Sequence, residues 1–356
     1  MQKVTLYVVV ILLMTAGCSG ESDMGDSGAD EPAELVLMSH DSFALSESVL
    51  ELFEEEYDAQ VTLLPAGDAG SALNQAILAK NDPLADVFFG VDNTFLGRAL
   101  EADIFEPYSS PALAQVPDEY KQDDSHRLLP VDYGDVCLNY DRGWFDERGQ
   151  TPPGSLTDLA APEYRSLFVV ENPATSSPGL AFLLATIDTF GEEGEYTYLD
   201  FWRELRENDV LITDGWEDAY FGHFSAAGDG DRPLVVSYAS SPPAEVIFAD
   251  PPVDEPPTAS ITASGMCFRQ VEFIGILKGT ERRELAEAFV DFALAKEFQE
   301  DIPLNMFVFP VNEEAKLPEV FERWAKLSAE PATLDAEDID VNREDWIEDW
   351  TSTVLR

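Results

Sequence analysis

Residues 172–179, which are rich in small hydroxyl side chains, have the composition of an anion-binding turn. The turn joins an apolar strand-like run, residues 167–170, to a strongly apolar helical pattern over residues 180–190. The first amides of a helix lack intrahelical partners and lie at the positive end of its dipole, so they attract anions. The alternative is an ordinary helix start, in which Ser176 or Ser177 caps its own backbone, and the stretch favours it when taken by itself.

Acidic side chains follow three predicted strands, at the points where the strands end. In open α/β sheets ligands bind beyond the carboxyl ends of strands, so these exits are candidates for a ligand site. The exit residues are His40, Asp41, Ser42, Phe43, Gly67, Asp68, Asp92 and Asn93. Each Asp taken singly is best interpreted as a helix cap. Three acidic residues that follow strands at one edge of the sheet, however, favour a cationic or amine-bearing ligand.

Alternating strand and helix patterns must position these exits. Strands are predicted at residues 35–38, 61–64, 86–89, 167–170 and 234–238, with an exit turn at 90–93, and residues 307–311 form a short apolar segment. Helices are predicted at residues 46–57, 71–80, 94–102, 180–190, 196–205, 281–300 and 341–354. This alternation predicts an α/β fold.

Two long strand patterns, residues 131–140 and 266–277, bracket the middle of the chain. A two-lobed protein whose first lobe is discontinuous would show this arrangement. The predicted boundaries are residues 34–134 with 268–311 for lobe I, 135–267 for lobe II, and 312–356 for a C-terminal helical segment packed on the lobes.

An extreme acidic charge distinguishes the composition. Asp and Glu number 70 against 21 Lys and Arg, a formal net charge of -49, yet 45% of the residues are hydrophobic. A disordered acidic chain would lack those apolar residues, so the acidity is expected to coat an ordinary core. Such a surface suits a salt-saturated medium, and we therefore predict a halophilic protein. The same charge argues against nucleic acid and anionic membranes as partners.

The N-terminal residues 1–17 have the pattern of a secretory signal peptide, with Lys3 ahead of an apolar run, residues 4–14, that is too short to span a bilayer. Small residues directly before Cys18 resemble a lipobox. We therefore predict that Cys18 carries lipid and that a flexible acidic tether extends to residue 33. An uncleaved anchor helix is the alternative. Either arrangement places the folded part on the outer face of the cell membrane.

Six blocks along the chain carry a common resemblance. They are His40-Asp41-Ser42-Phe43, Gly90-Val91-Asp92-Asn93, Asp132-Tyr133-Gly134, Thr175-Ser176-Ser177-Pro178-Gly179-Leu180, Gly215-Trp216 with Ala219-Tyr220, and Ser237-Tyr238 with Ser241-Pro242. In order and spacing they resemble blocks of the thiamine-binding proteins of ABC importers, as do residues 342–350 near the end. The resemblance covers nearly all of residues 35–356 and implies a type II periplasmic-binding-protein fold, two-lobed and α/β, with the ligand cleft between the lobes.

The resemblance also implies a ligand and the residues that bind it. Thiamine combines a thiazolium cation with an aminopyrimidine at one end and a hydroxyl, or a phosphate in its esters, at the other. By position, Trp216 and Tyr238 would form aromatic walls, and Asp68 would bind the pyrimidine amine. Ser176 and Ser177, with the amides that follow, would receive the phosphate or hydroxyl end. The whole predicted set is His40, Asp41, Asp68, Asp92, Ser176, Ser177, Gly179, Trp216, Tyr220, Tyr238 and Phe307.

The chain departs from the family pattern at two places. His40 stands where the family usually has Tyr, and Phe307 and Phe309 stand where an Asn-Trp-Met-Tyr-Pro stretch would supply Trp and Tyr. Ring stacking survives with Phe, but the hydrogen bonds of indole and phenol are lost, so the preference between free and phosphorylated thiamine is expected to differ. A phosphate beside His40 would bind more weakly as the pH rises through about 6.5.

Two cysteines remain once Cys18 is assigned to lipid. Cys137 and Cys267 fall on the two long strands, where an oxidising compartment permits a disulfide, but two buried free thiols are the favoured interpretation. The histidines at 40, 126 and 223 share no ligand spacing, and no HExxH, CxxC or Walker pattern occurs, so no metal and no cofactor are predicted.

The sequence thus predicts a lipid-tethered monomer that binds thiamine, thiamine monophosphate or thiamine pyrophosphate, closes by hinge motion, and serves an ABC permease. Rival functions are a carrier of iron or a polyamine, a thiaminase-like enzyme that uses Cys137, and a structural surface lipoprotein. Iron carriers of this fold usually present adjacent tyrosines, whereas Tyr238 is followed by Ala239. An enzyme would need a base beside Cys137, and the sequence offers no clear one.

Overall fold

Strands and helices alternate along the chain from Ala33 onward. The computed structural model describes residues 32–228, 230–334 and 336–356, so the predicted signal peptide and Cys18 lie outside the described residues. The strands of the described residues are β1 Ala33–Ser39, β2 Ala59–Pro65, β3 Val87–Asp92, β4 Phe105–Glu106, β5 Leu129–Asp141, β6 Phe168–Glu171, β7 Leu211–Thr213, β8 Leu234–Tyr238, β9 Thr258–Ile261, β10 Phe268–Leu277 and β11 Phe309–Pro310.

Helices connect most of the strands along the chain. Those in the described segments are α1 Glu47–Tyr57, α2 Ala69–Leu78, α3 Leu96–Glu101, α4 Arg142–Arg148, α5 Leu156–Leu159, α6 Ser177–Phe190, α7 Tyr198–Glu207, α8 Pro242–Ile247, α9 Arg283–Leu294, α10 Lys296–Asn305, α11 Glu319–Trp324 and α12 Ala336–Val354, with a π-helical turn at Asp218–His223. Across the part of the chain that the structure describes, no helix is long and apolar enough to span a bilayer.

The strands form one mixed sheet in the order β2-β1-β3-β10-β5-β8-β6-β7, with β4 beside β10 and with β9 and β11 beside β5. β1 runs parallel to β2 and β3, and β6 runs parallel to β7 and β8. The long strands β5 and β10 are antiparallel to each other and connect these two parallel groups. The predicted α/β class is confirmed. The sheet joins Ala33–Arg356 into one compact unit, and the lobe boundaries stay a prediction.

Two element boundaries differ from the sequence prediction. The predicted exit turn at residues 90–93 is wrong, because β3 continues to Asp92 where Val91 and Asp92 pair with β10. The helical pattern over residues 281–300 divides into α9 and α10 at Ala295, whose backbone is extended. The other predicted elements are present with ends shifted by a few residues.

Helix α6 is buried along most of its length, and its packing holds the hydroxyl-rich turn in place. Phe182 of α6 packs edge-on against Trp202 of α7, with ring centroids 5.7 Å apart, and Trp202 packs edge-on against Trp350 of α12 at 5.4 Å. Gly179 lets the first turn of α6 approach β6, since a Cβ there would lie 2.5 Å from the carbonyl oxygen of Glu171. The start of α6 is therefore positioned by the core.

A disulfide joins Cys137 of β5 to Cys267, the residue before β10, with their Cα atoms 4.3 Å apart. The favoured sequence interpretation of two free thiols is therefore wrong. The physical reason is the strand register: Phe268 lies opposite Val136, which brings the neighbouring cysteines together. Both are fully buried, in a small cluster with Ala239.

Candidate ligand-binding site

A cavity of about 540 Å³ lies beyond the carboxyl ends of strands from both parallel groups. Its aromatic lining residues are Phe43, Trp216, Tyr220, Phe221, Tyr238, Phe248 and Phe307. Its ionisable lining residues are His40, Asp41, Asp68, Glu217, Glu245 and Glu272, apart from the tyrosines. Five carboxyl groups and one imidazole therefore set the charge of this cavity, which suits a cationic ligand with flat rings.

Trp216 is the largest aromatic group of the cavity wall. Its ring stacks on Tyr220 with centroids 4.9 Å apart, and its Nε1 donates a hydrogen bond to Ser237 Oγ at 3.0 Å. Tyr220 is buried and its hydroxyl donates to Glu245 Oε1 at 2.9 Å. These contacts fix the plane of the indole, so the side that faces the cavity is prepared for another flat ring.

Asp68 bridges the starts of two helices. Its Oδ1 accepts hydrogen bonds from the amide of Ala69 in α2 at 2.8 Å and from the amide of Ser177 in α6 at 3.2 Å. Its Oδ2 accepts from the amide of Trp216 at 2.9 Å. Burial raises the pKa of Asp68 to about 6, and the amides and His40 only partly offset that rise. This carboxyl group thus connects residues that follow strands of both parallel groups.

A buried cluster of His40, Glu272 and Asp132 lies beside the aromatic wall. His40 Nε2 is 3.2 Å from Glu272 Oε1. Burial alone would lower the pKa of His40, but Glu272, Asp68 and Asp41 outweigh burial and raise it. Burial would raise the pKa of Glu272, whereas His40 lowers it, and burial together with Glu272 raises the pKa of Asp132 well above its ordinary value. The cluster therefore contains a His40–Glu272 ion pair beside the Asp132 carboxyl group, whose pKa is raised.

Replacing His40 by glutamine is expected to lower the free energy of unfolding most near pH 6 and least near pH 9. A raised folded-state pKa means that the stabilisation is fully present below the unfolded pKa of about 6.5 and is lost as the pH rises through the folded value. Urea denaturation of wild type and variant at pH 6, 7.5 and 9 measures the difference. His223→Gln, at a more exposed histidine outside the cavity, is the parallel control. A difference in unfolding free energy between wild type and His40→Gln that stays constant with pH would contradict the ion pair.

Gln270 of β10 links Tyr238 to Ser177 and Asp92 by hydrogen bonds. The Tyr238 hydroxyl donates to Gln270 Oε1 at 2.6 Å, and Gln270 Nε2 donates to Ser177 Oγ at 2.8 Å and to Asp92 Oδ2. The Tyr238 hydroxyl is therefore already hydrogen-bonded within the protein, so the ring is the part of Tyr238 that is left to contact a ligand in the cavity. Ser177 Oγ therefore accepts a hydrogen bond from the same amide group that contacts Asp92.

The predicted site residues divide into two sets. His40, Asp41, Asp68, Ser177, Trp216, Tyr220, Tyr238 and Phe307 line the cavity. Asp92, Ser176 and Gly179 do not. Asp92 Oδ1 accepts from the amide and hydroxyl of Thr94 at 2.7 and 2.6 Å, Ser176 is the buried N-cap residue of α6, and Gly179 packs on β6. The contacts of Asp92 and Gly179 support the fold, whereas the buried Ser176 hydroxyl has no hydrogen-bond partner among the described residues.

Several cavity residues were not predicted. Glu217 and Phe221 lie next to the predicted residues Trp216 and Tyr220, and Glu245 and Phe248 closely follow Ser241-Pro242. Proximity to these motifs in the sequence could therefore have identified them. Glu272 carries no local signal because only the β3–β10 register brings it beside His40. Phe309, expected near the ligand, instead stacks on Tyr133 with centroids 5.5 Å apart. The described residues contain no cluster of three or more His, Cys, Asp or Glu side chains able to hold a metal ion.

The sequence matches a protein-family model over residues 82–329, and that model describes bacterial extracellular solute-binding proteins. It is also 29% identical over 330 residues to the thiamine-binding periplasmic protein of Salmonella typhimurium, which covers 90% of this chain and 94% of the relative. The thiamine-binding periplasmic protein of Escherichia coli is likewise 29% identical, over 327 residues, with 90% and 94% covered.

Solved structures give the same picture of the fold. A periplasmic thiamin binding protein superposes with a TM-score of 0.80 at 27% identity, over 92% of this chain and 98% of the other. A ferric binding protein from Campylobacter jejuni superposes with a TM-score of 0.71 at 16% identity, over 90% of this chain and 99% of the other. The two-lobed periplasmic-binding-protein fold predicted from the sequence is therefore confirmed.

Proposed function

This chain belongs to the family of bacterial extracellular solute-binding proteins, and on that basis we propose that it captures thiamine, or one of its phosphate esters, outside the cell membrane for an ABC permease. Its similarity to proteins named for thiamine binding supports the ligand. The observation that carries the proposal is the cavity wall, where Trp216 and Tyr238 stand among five carboxyl groups. A flat organic cation is the ligand that such a wall suits.

Each part of thiamine has a counterpart in the cavity. The thiazolium ring would lie against Trp216, where a desolvated cation gains about 2 kcal/mol or more. The ring of Tyr238 would pack on the other aromatic portion, because its hydroxyl is already bonded to Gln270. The pyrimidine amine would donate to Asp68, which is half-buried and lines the cavity. The carboxyl groups of Asp41 and Glu217 would attract the cation towards the cavity.

Capture would be coupled to closure of the two predicted lobes about the strands β5 and β10. The hydrogen bonds from the amides of Ser177 and Trp216 to Asp68 join residues assigned to opposite lobes. They would form as the lobes close and break as they open. A closed monomer would then present its ligand to the permease.

Titration calorimetry with thiamine tests the binding function. We expect one thiamine per chain and recovery of intact thiamine after incubation, as checked by mass spectrometry. Consumption of thiamine would instead indicate a thiaminase-like enzyme. That alternative is disfavoured because Cys137, the nucleophile it would need, is buried and disulfide-bonded.

A polyamine is the second candidate ligand. The five carboxyl groups of the cavity would also suit a flexible polycation, whereas the aromatic wall favours flat rings. Spermidine titrated in parallel separates the two, since tighter binding of spermidine than of thiamine would reverse the proposal. For iron, Tyr238 has no tyrosine beside it, which leaves the usual paired ligands of iron carriers unmatched.

The protein is further proposed to be a lipid-anchored monomer adapted to high salt. The proposal rests on the residues before Cys18 and on the net charge of -49. Mass spectrometry of the mature N-terminus would reveal lipid on Cys18, and an unmodified N-terminal Met1 would contradict it. Unfolding free energies that are equal in dilute buffer and in molar KCl would contradict the adaptation to salt.

A further inference from the structure

Two phenylalanines meet at the opening of the cavity. Phe248 lines the cavity and is nevertheless 71% exposed, so it lies where the cavity opens to solvent. Phe307 lines the same cavity and is half-buried. The two rings pack edge to face with their centroids 5.8 Å apart. This is one of the favoured geometries of an aromatic pair, so the contact links two segments of the cavity border.

Helix α8 holds Phe248 in this position. The amide of Phe248 donates to the carbonyl oxygen of Ala244 at 2.9 Å and closes the last turn of the helix. Glu245 of the same helix accepts a hydrogen bond from the Tyr220 hydroxyl at 2.9 Å, and Tyr220 stacks on Trp216. The segment that carries Phe248 is therefore bonded to the aromatic wall of the cavity.

The backbone of Phe307 adopts an unusual conformation. Its φ of 57° lies in the left-handed region, where a bulky side chain is strained and glycine is preferred. Phe307 directly follows Met306, the C-cap of α10, at a position where helices commonly have glycine. Strain of this kind persists only where the surrounding structure requires it, and it concentrates at ligand sites. The strained backbone therefore indicates that the ring of Phe307 has a use at the cavity opening.

The two rings come from parts of the chain assigned to different lobes. Phe248 falls within the predicted lobe II, after β8, and Phe307 falls within the predicted lobe I, ahead of β11. Their contact would form when the lobes close and would have to break before a ligand could leave the cavity.

We propose that Phe248 is a further residue of the binding site, whose contact with Phe307 closes the cavity opening over bound thiamine and slows its release. This pair of rings is the aromatic gate. The inference rests on the proposed thiamine-binding function and adds the residue that retains the ligand. Closing the opening also excludes water from the face of Trp216, where a contact between a cation and an aromatic ring is stronger when desolvated.

The release of radiolabelled thiamine from the full chain, chased with excess unlabelled thiamine in molar KCl, tests the aromatic gate. Phe248→Ala is expected to release thiamine about threefold to tenfold faster than wild type, which corresponds to the loss of one aromatic pair. The association rate, obtained from the release rate and the dissociation constant, should stay within about twofold because the gate closes after the ligand enters. Phe248→Tyr keeps the ring and should release thiamine as slowly as wild type.

The outcomes separate the aromatic gate from the proposed function. Release from Phe248→Ala at the wild-type rate overturns the gate and leaves the binding function standing. Absence of thiamine binding by wild type overturns the function and the gate with it.

Ile247→Ala is the matched control, because Ile247 is an exposed apolar residue of the same helix that does not line the cavity. It should leave the release rate within about twofold of wild type. Equal acceleration in Ile247→Ala and Phe248→Ala would attribute the effect to α8 as a whole and remove the gate.

A double-mutant cycle with Phe307→Gly tests the ring contact itself, since glycine removes the second ring and suits the left-handed backbone. In the Phe307→Gly background, Phe248→Ala should change the release rate by less than about twofold, because the contact is already lost. Effects of the two substitutions that simply multiply would overturn the contact between the rings.

Discussion

Replacing Trp216 by alanine is expected to weaken thiamine binding about 30-fold or more, because a cation over a desolvated Trp face gains about 2 kcal/mol or more. The indole is held for this task by stacking on Tyr220 and by its hydrogen bond to Ser237. Trp216→Phe keeps a ring but loses that hydrogen bond, so an intermediate loss is expected. Titration calorimetry with thiamine measures both variants.

Trp324 of α11 provides the matched control for Trp216. It is half-buried like Trp216 but does not line the cavity. Trp324→Ala is therefore expected to change the affinity for thiamine by less than about twofold. Equal losses for the two variants would show that the loss at Trp216 reflects general destabilisation. An unchanged affinity in Trp216→Ala would remove the indole from the binding wall.

Replacing Cys137 and Cys267 together by alanine is expected to lower the free energy of unfolding by about 2–5 kcal/mol. The bond joins residues 130 positions apart, so the oxidised chain loses much of its freedom when unfolded. It also ties β5 to β10, the strands that connect the two parallel groups of the sheet. Urea denaturation of oxidised wild type and of the double variant measures the difference.

Reduced wild type is the control for the disulfide prediction, since it should approach the stability of the double variant. Neither cysteine lines the cavity, so the folded double variant should retain its affinity for thiamine. Unfolding free energies that agree within about 0.5 kcal/mol for oxidised wild type and variant would contradict a stabilising bond.

The aromatic part of the site could be predicted because its residues lie in short, recognisable blocks. Trp216, Tyr220 and Tyr238 each belong to such a block, and all three line the cavity. The acidic part was only half predicted. Asp68 follows β2 and could be inferred from its position after a strand, whereas Glu272 lies in the middle of β10, where a strand exit does not point to it.

The main elements of the fold follow from local periodicity. Helix α9 buries a regular stripe that can be read along the chain, and the long strands β5 and β10 are buried at nearly every residue. Short elements such as β4 and β9 have no period of their own, because they exist only through pairing with β10 and β5. The disulfide could not be predicted for the same reason. Two cysteines far apart in sequence become neighbours only when β5 and β10 pair.

The sequence by itself determined that this chain is an acidic α/β protein with aromatic and carboxylate residues at strand exits. It also determined that a hydroxyl-rich turn at residues 172–179 leads into α6. Only the tertiary structure decided what that turn does. Periodicity identifies a helix start with unpaired amides, but the partner of those amides comes from elsewhere in the chain. Here it is the carboxylate of Asp68, brought to Ser177 and Trp216 because long-range packing decides which charges meet.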